Sequence, residues 1–175
     1  MKYVLIKDNT GPYFQFLKEL YLSAFPVHER RDWEQLLGMI NNVPGMRIEL
    51  ITDKDKAIGF LISWMLQGYC FIEHFAVSPL NRGKRYGERI MKHLMGRGKV
   101  LLETEYPESA DAIRRISFYE RLGMRILPVA YRQPSYREAG KSYPMLLMSN
   151  VPEDHEVSIR EVISQIVQQV YQLRQ

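Results

Sequence analysis

The stretch FIEHFAVSPLNRGKRYGERIM, residues 71–91, passes from an apolar run through a proline into a basic, glycine-bearing turn and then into a helical pattern. The run extends back to Tyr69, and YCFIEHFAV is apolar on both faces, which suits a central strand. Pro79 closes it. Between residues 84 and 95, Tyr86, Ile90, Met91 and Leu94 recur at helical spacing, and Gly96 and Gly98 stop the helix. A strand, a tight turn and a helix start together form a physical anion site. The first helical N–H groups have no acceptor within the helix, and the macrodipole adds about half a positive charge there. Glycine lets a phosphate approach the backbone closely. Neither G-x-x-x-x-G-K-[ST] nor G-x-G-x-x-G is present, which disfavours nucleoside triphosphates and dinucleotides. A diphosphate held by backbone amides stays open, and so does a solvated basic helix start with no ligand.

Working outward, KYVLI reads as a short strand. GPYFQFLKELYLSAF spaces Phe14, Leu17, Leu20, Tyr21 and Phe25 as a helix that ends at Pro26. RDWEQLLGMI predicts a second short helix, and RIELITD and KAIGFLISWML two strands joined by a turn at Asp53–Lys56. Beyond the basic helix, KVLLETE is a strand and SADAIRRISFYERLGM a helix ending at Gly123. MRILPVAY and YPMLLMS are the last strands, joined by the loop RQPSYREAGKS. The tail is amphipathic through Ile159, Val162, Ile163, Ile166 and Val170, which predicts a C-terminal helical extension over 153–173. Consecutive parallel strands around 70–104 would need a right-handed crossover, and residues 82–97 supply it. The order is that of a mixed sheet.

At 175 residues the chain is long enough for one domain, 1–175, with a real core. Its one cysteine, Cys70, excludes an internal disulfide framework and points to a reduced, cytoplasmic setting. No apolar run reaches the roughly 18 residues of a membrane span, and the N-terminal apolar stretch is too short for a signal peptide. The four histidines, His28, His74, His93 and His155, are scattered without metal-ligand spacing. Net charge is +4. Much of the excess lies in one segment, where Arg82, Lys84, Arg85, Arg89, Lys92, Arg97 and Lys99 face only Glu88, and this argues for an anionic ligand.

Two motifs carry a family resemblance. AVSPLNRGKRYGERIM resembles the acyl-CoA pyrophosphate loop of the GNAT superfamily of N-acetyltransferases, Q/R-x-x-G-x-G/A, with Arg82 and Gly87 at its first and last positions. ISFYERLGM is similar to the family's aromatic-Tyr-Glu-x-x-Gly helix end, about 30 residues later. The likeness covers residues 45–149 best, residues 1–44 by element order alone, and the tail not at all. It implies an α/β (α+β) GNAT-like fold: a central mixed, mostly antiparallel sheet, helices on both faces and an extra C-terminal helix. Where the family usually has glycine this chain has Arg85, whose side chain turns away from the phosphates, contacts one, or obstructs the site. Ala112 and Met124 are further departures.

The resemblance implies transfer of an acetyl group from acetyl-CoA to a primary amine by direct attack. Arg82, Gly83, Lys84, Arg85, Tyr86 and Gly87 would hold the diphosphate, and Phe75, Ala76 and Val77 would pair with the pantetheine amides as an added strand does. An amine with a pKa near 10.4 must lose a proton. Glu73 and His74 interrupt an apolar strand, where an unpartnered polar group is costly. Period two puts Glu73 with Phe71, Phe75 and Val77, and His74 on the other face. Glu73 is the favoured base, against a structural ion pair; His74 reads as a satisfied core histidine. Tyr119, in the second motif, is the expected acid for the leaving thiolate, against a core tyrosine. The resemblance implies an acceptor pocket lined by the first two helices and the loop before the last strand, where the candidates are Phe25, Glu29, Arg30, Arg31 and Trp33, and Tyr131, Gln133, Tyr136 and Arg137.

The expected partner is a small-molecule amine, with neither nucleic acid nor membrane and no metal, and with a homodimer through the tail stripe as one arrangement it permits. A protein amine substrate, a non-catalytic acyl-CoA sensor and a nucleic-acid binder using residues 82–99 are the competing readings. The last lacks a helix-turn-helix or zinc pattern.

Overall fold

The computed structural model describes residues 1–152 and 158–171. Among them eight strands form a mixed sheet with helices. The chain divides into two compact units, Met1–Trp64 with Ile72–Ile90, and Met65–Phe71 with Met91–Gln175.

The first unit opens with β1 (Lys2–Leu5), α1 (Phe14–Ala24), a short 3-10 turn at Val27–Glu29 and α2 (Trp33–Met39). Then come β2 (Met46–Asp53), β3 (Lys56–Leu66) and β4 (Tyr69–Val77), of which Met65–Leu66 and Tyr69–Phe71 belong to the second unit. Strand β1 runs antiparallel to β2, with Lys2 opposite Thr52 and Leu5 opposite Glu49. Strand β2 runs antiparallel to β3, with Met46 opposite Trp64 and Asp53 opposite Lys56. The expected turn at Asp53–Lys56 is a two-residue hairpin turn, with Lys54 and Asp55 at φ 49° and 61°. Two left-handed residues match the right-handed twist of the strands they join.

Leu17, Leu20 and Tyr21 of α1 and Trp33 and Leu36 of α2 pack with Ile48, Leu50, Phe60 and Ile62 of β2 and β3. Each large side chain removed from water contributes about 1.5–3 kcal/mol, and this cluster is what seats the two helices. Strands β3 and β4 approach closely at Gly59, where a Cβ would lie 2.4 Å from the carbonyl oxygen of Ala76. Next door, the Ser78 N–H donates to the Ile58 carbonyl at 2.9 Å. A 3-10 turn at Pro79–Asn81 then leads to α3 (Tyr86–Met95), whose Ile90, Met91 and Leu94 are buried.

The second unit holds β5 (Lys99–Thr104), α4 (Ala110–Arg121), β6 (Arg125–Ile126), β7 (Tyr131–Pro134), β8 (Ser142–Ser149) and α5 (Ile159–Gln165). The tail continues as a π-helical stretch, Ile166–Tyr171. Ser109 caps α4 by accepting from the Ala112 N–H, and Gly123, at φ 93°, ends it. Strand β8 pairs antiparallel with β5, β6 and β7. The single strand expected over 124–131 is in fact broken after Ile126. Pro128 has no N–H to give the ladder, and the chain re-enters it as β7, which reaches into the segment expected to be loop. Beyond it, the Ser135 hydroxyl accepts from the N–H groups of Arg137 and Glu138, so the hairpin tip is a hydrogen-bonded turn.

The tail's apolar residues Ile159, Val162, Ile166 and Val170 are buried within the chain, and Ile163 is half-buried. Residues 153–157 and 172–173 of the expected extension lie outside the described residues. No helix among the described residues is long and apolar enough to cross a membrane.

The Gly59→Ala variant is expected to lose about 2–3 kcal/mol of stability, the cost of forcing a methyl group into a packed backbone contact. Urea unfolding of the two proteins measures it.

Candidate active site

The turn ahead of α3 has an unusual backbone. Gly83 sits at φ 76° with open space where a Cβ would be, and Arg85 sits at φ 57°, a region L-residues avoid. The first intrahelical bond runs from the Arg89 N–H to the Arg85 carbonyl at 3.1 Å. The N–H groups of the first turn therefore lack an acceptor within the helix. Glycine space at Gly83, helix-start amides and the exposed cation of Arg82 make the turn able to accept an anionic group such as a diphosphate, and Arg85 stands exposed beside them.

The other side chains of the turn are committed. The Lys84 ammonium folds back onto the Leu80 carbonyl at 3.1 Å and Asn81 Oδ1 at 3.3 Å. Tyr86 donates from its hydroxyl to Asp53 Oδ2 at 2.7 Å, fastening α3 to the β2–β3 turn. That bond holds the Asp53 carboxyl below its ordinary range and pushes the Tyr86 phenol up. Arg89 stacks its guanidinium on the Tyr86 ring at 5.5 Å. Phe75 and Val77 of β4 are half-buried and Ala76 is buried.

Behind the turn, β4 carries a buried ion pair. Glu73 Oε1 accepts from Arg31 Nε at 3.0 Å and lies 3.0 Å from Arg31 Nη2, while Oε2 accepts from Trp64 Nε1 at 2.6 Å. The two charged side chains are 1 % and 2 % exposed. The expected base is thus a carboxylate already shared between a guanidinium and an indole. Tyr21 extends the cluster, its hydroxyl accepting from the Arg31 N–H at 3.0 Å.

His74 is packed edge-on against Phe25 at 4.5 Å and against Tyr21 at 5.3 Å. Its Nε2 lies 3.1 Å from the Glu29 carbonyl oxygen. A carbonyl only accepts, so the proton belongs on Nε2. Burial pushes the His74 pKa down, with Glu73 opposing, and the ring is neutral at pH 7.

The expected acceptor residues of this unit gather around one aromatic group. Arg30 donates from Nε to the Phe25 carbonyl at 3.1 Å and lies over the Tyr21 ring at 5.9 Å. Trp33 packs between Phe14 at 5.4 Å and Tyr21 at 6.0 Å and is 8 % exposed. Glu29 contributes its backbone carbonyl to this group through His74.

In the second unit, Tyr119 lies buried on α4 beside the Phe118 ring at 5.2 Å, and burial pushes its phenol up to about 12. Tyr136, on the β7–β8 turn, packs against the Tyr171 ring at 5.0 Å. The expected acceptor residues Tyr131 and Gln133 meet here on a carboxylate that sequence reasoning missed. The Glu103 carboxylate accepts from the Tyr131 hydroxyl, from Gln133 Nε2 at 2.7 Å and from the Tyr171 hydroxyl at 2.6 Å. Burial, then the Glu103 charge, raises the Tyr131 pKa. A glutamate inside the apolar run KVLLETE was the available signal, since such a carboxylate must find donors. Among the described residues no three His, Cys, Asp or Glu side chains gather as metal ligands.

The sequence model of the acetyltransferase (GNAT) family matches residues 14–124. A Bacteroides thetaiotaomicron protein assigned to the GNAT family of acetyltransferases shares 30 % identity, over 99 % of this chain and 100 % of its own, with a TM-score of 0.90. An aminoglycoside 6′-N-acetyltransferase complexed with coenzyme A shares 20 % identity over 88 % of this chain and 99 % of its own, at TM-score 0.56. A spermidine N-acetyltransferase variant from Vibrio cholerae shares 11 % over 85 % of this chain and 94 % of its own, at TM-score 0.63. These last two are likenesses of fold. No curated protein is similar enough in sequence to count as a match.

Replacing Arg31 by Met leaves the Glu73 charge buried without its guanidinium, and a loss of about 3–5 kcal/mol is expected. The double variant Arg31→Met/Glu73→Leu recovers most of that loss, and a double-mutant cycle in urea reads the coupling. The depressed His74 pKa sets a pH dependence. Above the unfolded value of about 6.5 the ring is neutral in both states. As pH falls below it, the unfolded chain takes a proton that the folded chain resists, so stability declines. The urea midpoint should drop between pH 7 and pH 5, and by less in His74→Gln.

Proposed function

The chain belongs to the acetyltransferase (GNAT) family, and from that premise we propose that it transfers an acetyl group from acetyl-CoA to a primary amine of a small molecule, by direct attack in a ternary complex. The observation that carries this reading is the turn 82–87, whose left-handed Gly83 and Arg85 lead into a helix start lined with backbone N–H groups. The activities of two fold relatives, on spermidine and on an aminoglycoside, support a small amine as acceptor.

Acetyl-CoA supplies the acetyl group as a thioester. Arg82, Gly83 and the first-turn amides of α3 bind its diphosphate, with Gly87 giving close approach. The backbone of Phe75, Ala76 and Val77 pairs with the pantetheine amides and orients the reacting carbon, and orientation of this kind is worth about 7–11 kcal/mol of barrier. An N–H near Phe75 or Ala76 donates to the thioester oxygen as charge builds there.

The amine must be neutral to attack. Glu73 is the proposed acceptor of its proton, through water, because the carboxylate is held by Arg31 and Trp64 and its side chain is closed to direct contact. Tyr119 is the proposed donor to the departing sulfur. A phenol at about 12 keeps its proton at neutral pH and stabilises a thiolate chiefly by a hydrogen bond.

Thiol release from acetyl-CoA, assayed against a panel of polyamines, aminoglycosides and amino acids, tests the reading. Release that requires both the protein and an amine is expected, and in Tyr119→Phe kcat should fall about 100-fold while CoA affinity stays. CoA binding with no amine-dependent release on any acceptor would favour a sensor instead.

A further inference from the structure

Arg85 is placed against three local preferences. Its φ of 57° is a conformation that glycine or asparagine adopts with little strain and arginine does not. It directly precedes the N-terminus of α3, the end of a helix dipole that repels a cation. Its side chain is 83 % exposed, with an exposed contact to Glu88 at 3.9 Å that contributes little. Strain that the surrounding contacts do not repay marks a side chain with another task.

The neighbouring cations narrow that task. Lys84 is folded onto Leu80 and Asn81, and Arg89 is stacked on Tyr86, itself fixed by Asp53. The guanidinium of Arg85 reaches solvent at the mouth of the turn. Coenzyme A carries two separate anionic groups, a diphosphate and a 3′-phosphate monoester on its ribose. Backbone amides suit the diphosphate, which approaches the helix start. The monoester carries about 1.5–2 negative charges at neutral pH and calls for a full positive charge beyond the backbone cradle. An anion there would also reverse the unfavourable placement of Arg85 at the helix end.

We propose that Arg85 binds the 3′-phosphate of coenzyme A and makes the protein select CoA over 3′-dephospho-CoA. This rests on the reading of the turn as the CoA site. The planar guanidinium forms a charge-assisted, two-pronged contact with phosphate oxygens and gives up its distant contact with Glu88.

Calorimetric titration of CoA and of 3′-dephospho-CoA into the wild type, Arg85→Asn and Arg85→Gly tests it. Asparagine tolerates the backbone conformation and lacks the charge, so it separates charge from strain. The wild type should bind CoA about tenfold or more tightly than dephospho-CoA, as a charge-assisted contact implies. In both variants the ratio should fall to about twofold or less, with dephospho-CoA affinity little changed. The wild-type preference should also shrink as salt is raised. A preference that survives in Arg85→Asn, or a wild type that binds the two ligands alike, overturns the assignment of Arg85. A wild type that binds neither ligand overturns the CoA site itself.

Discussion

The carboxylate of Glu73, shared between the Arg31 guanidinium and the Trp64 indole, ties three separate stretches of the first unit together. Arg31 belongs to the segment between α1 and α2, Trp64 to β3 and Glu73 to β4. Two charges out of water are costly, and the geometry has to repay that cost. Here it does so with two guanidinium nitrogens at 3.0 Å and an indole N–H at 2.6 Å on one carboxylate. Tyr21, Phe25 and His74 pack ring against ring around it. The Arg31 backbone is held by the Tyr21 hydroxyl, and His74 by the Glu29 carbonyl. These bonds hold the path of the chain from Phe25 to Trp33, where most of the candidate acceptor residues lie.

A different constraint governs the turn before α3. It is built from backbone conformation more than from side-chain bonds. Gly83 meets its positive φ without cost, whereas Arg85 does not. Tyr86 anchors the start of the helix to the β2–β3 turn through Asp53, so the first-turn amides are carried on a fixed element. A rigid helix start with its donors in place needs little reorganisation to accept an anion, and preorganisation of this kind conserves binding free energy.

Much of this was readable in the sequence. Hydrophobic periodicity located α1 and α3, the stop signal at Gly123 located α4, turn residues located β2 and β3, and an unbroken apolar run closed by Pro79 located β4. The two motifs, RGKRYG and FYERLG, point to the family by themselves. What escaped lies at long sequence separation or in proline chemistry. Arg31 and Glu73 are 42 residues apart, so their pairing is a property of the fold. Period two described the faces of β4 but could not say what stands opposite them. The break at Pro128 was visible as a missing donor, yet only the ladder on β8 shows where the strand resumes. Glu103 draws its partners from β7 and from Tyr171, 68 residues away. The left-handed φ of Arg85 was foreshadowed by the glycine that the motif usually carries there.

The central claim is that the turn 82–87 and the strand Phe75–Val77 seat acetyl-CoA. Amide resonances of the protein, followed by NMR as acetyl-CoA is added, test it most directly. The account predicts saturable shifts concentrated at Phe75–Val77 and at Gly83–Gly87. Shifts confined to other parts of the chain, or none at all with acetyl-CoA in excess, would contradict it.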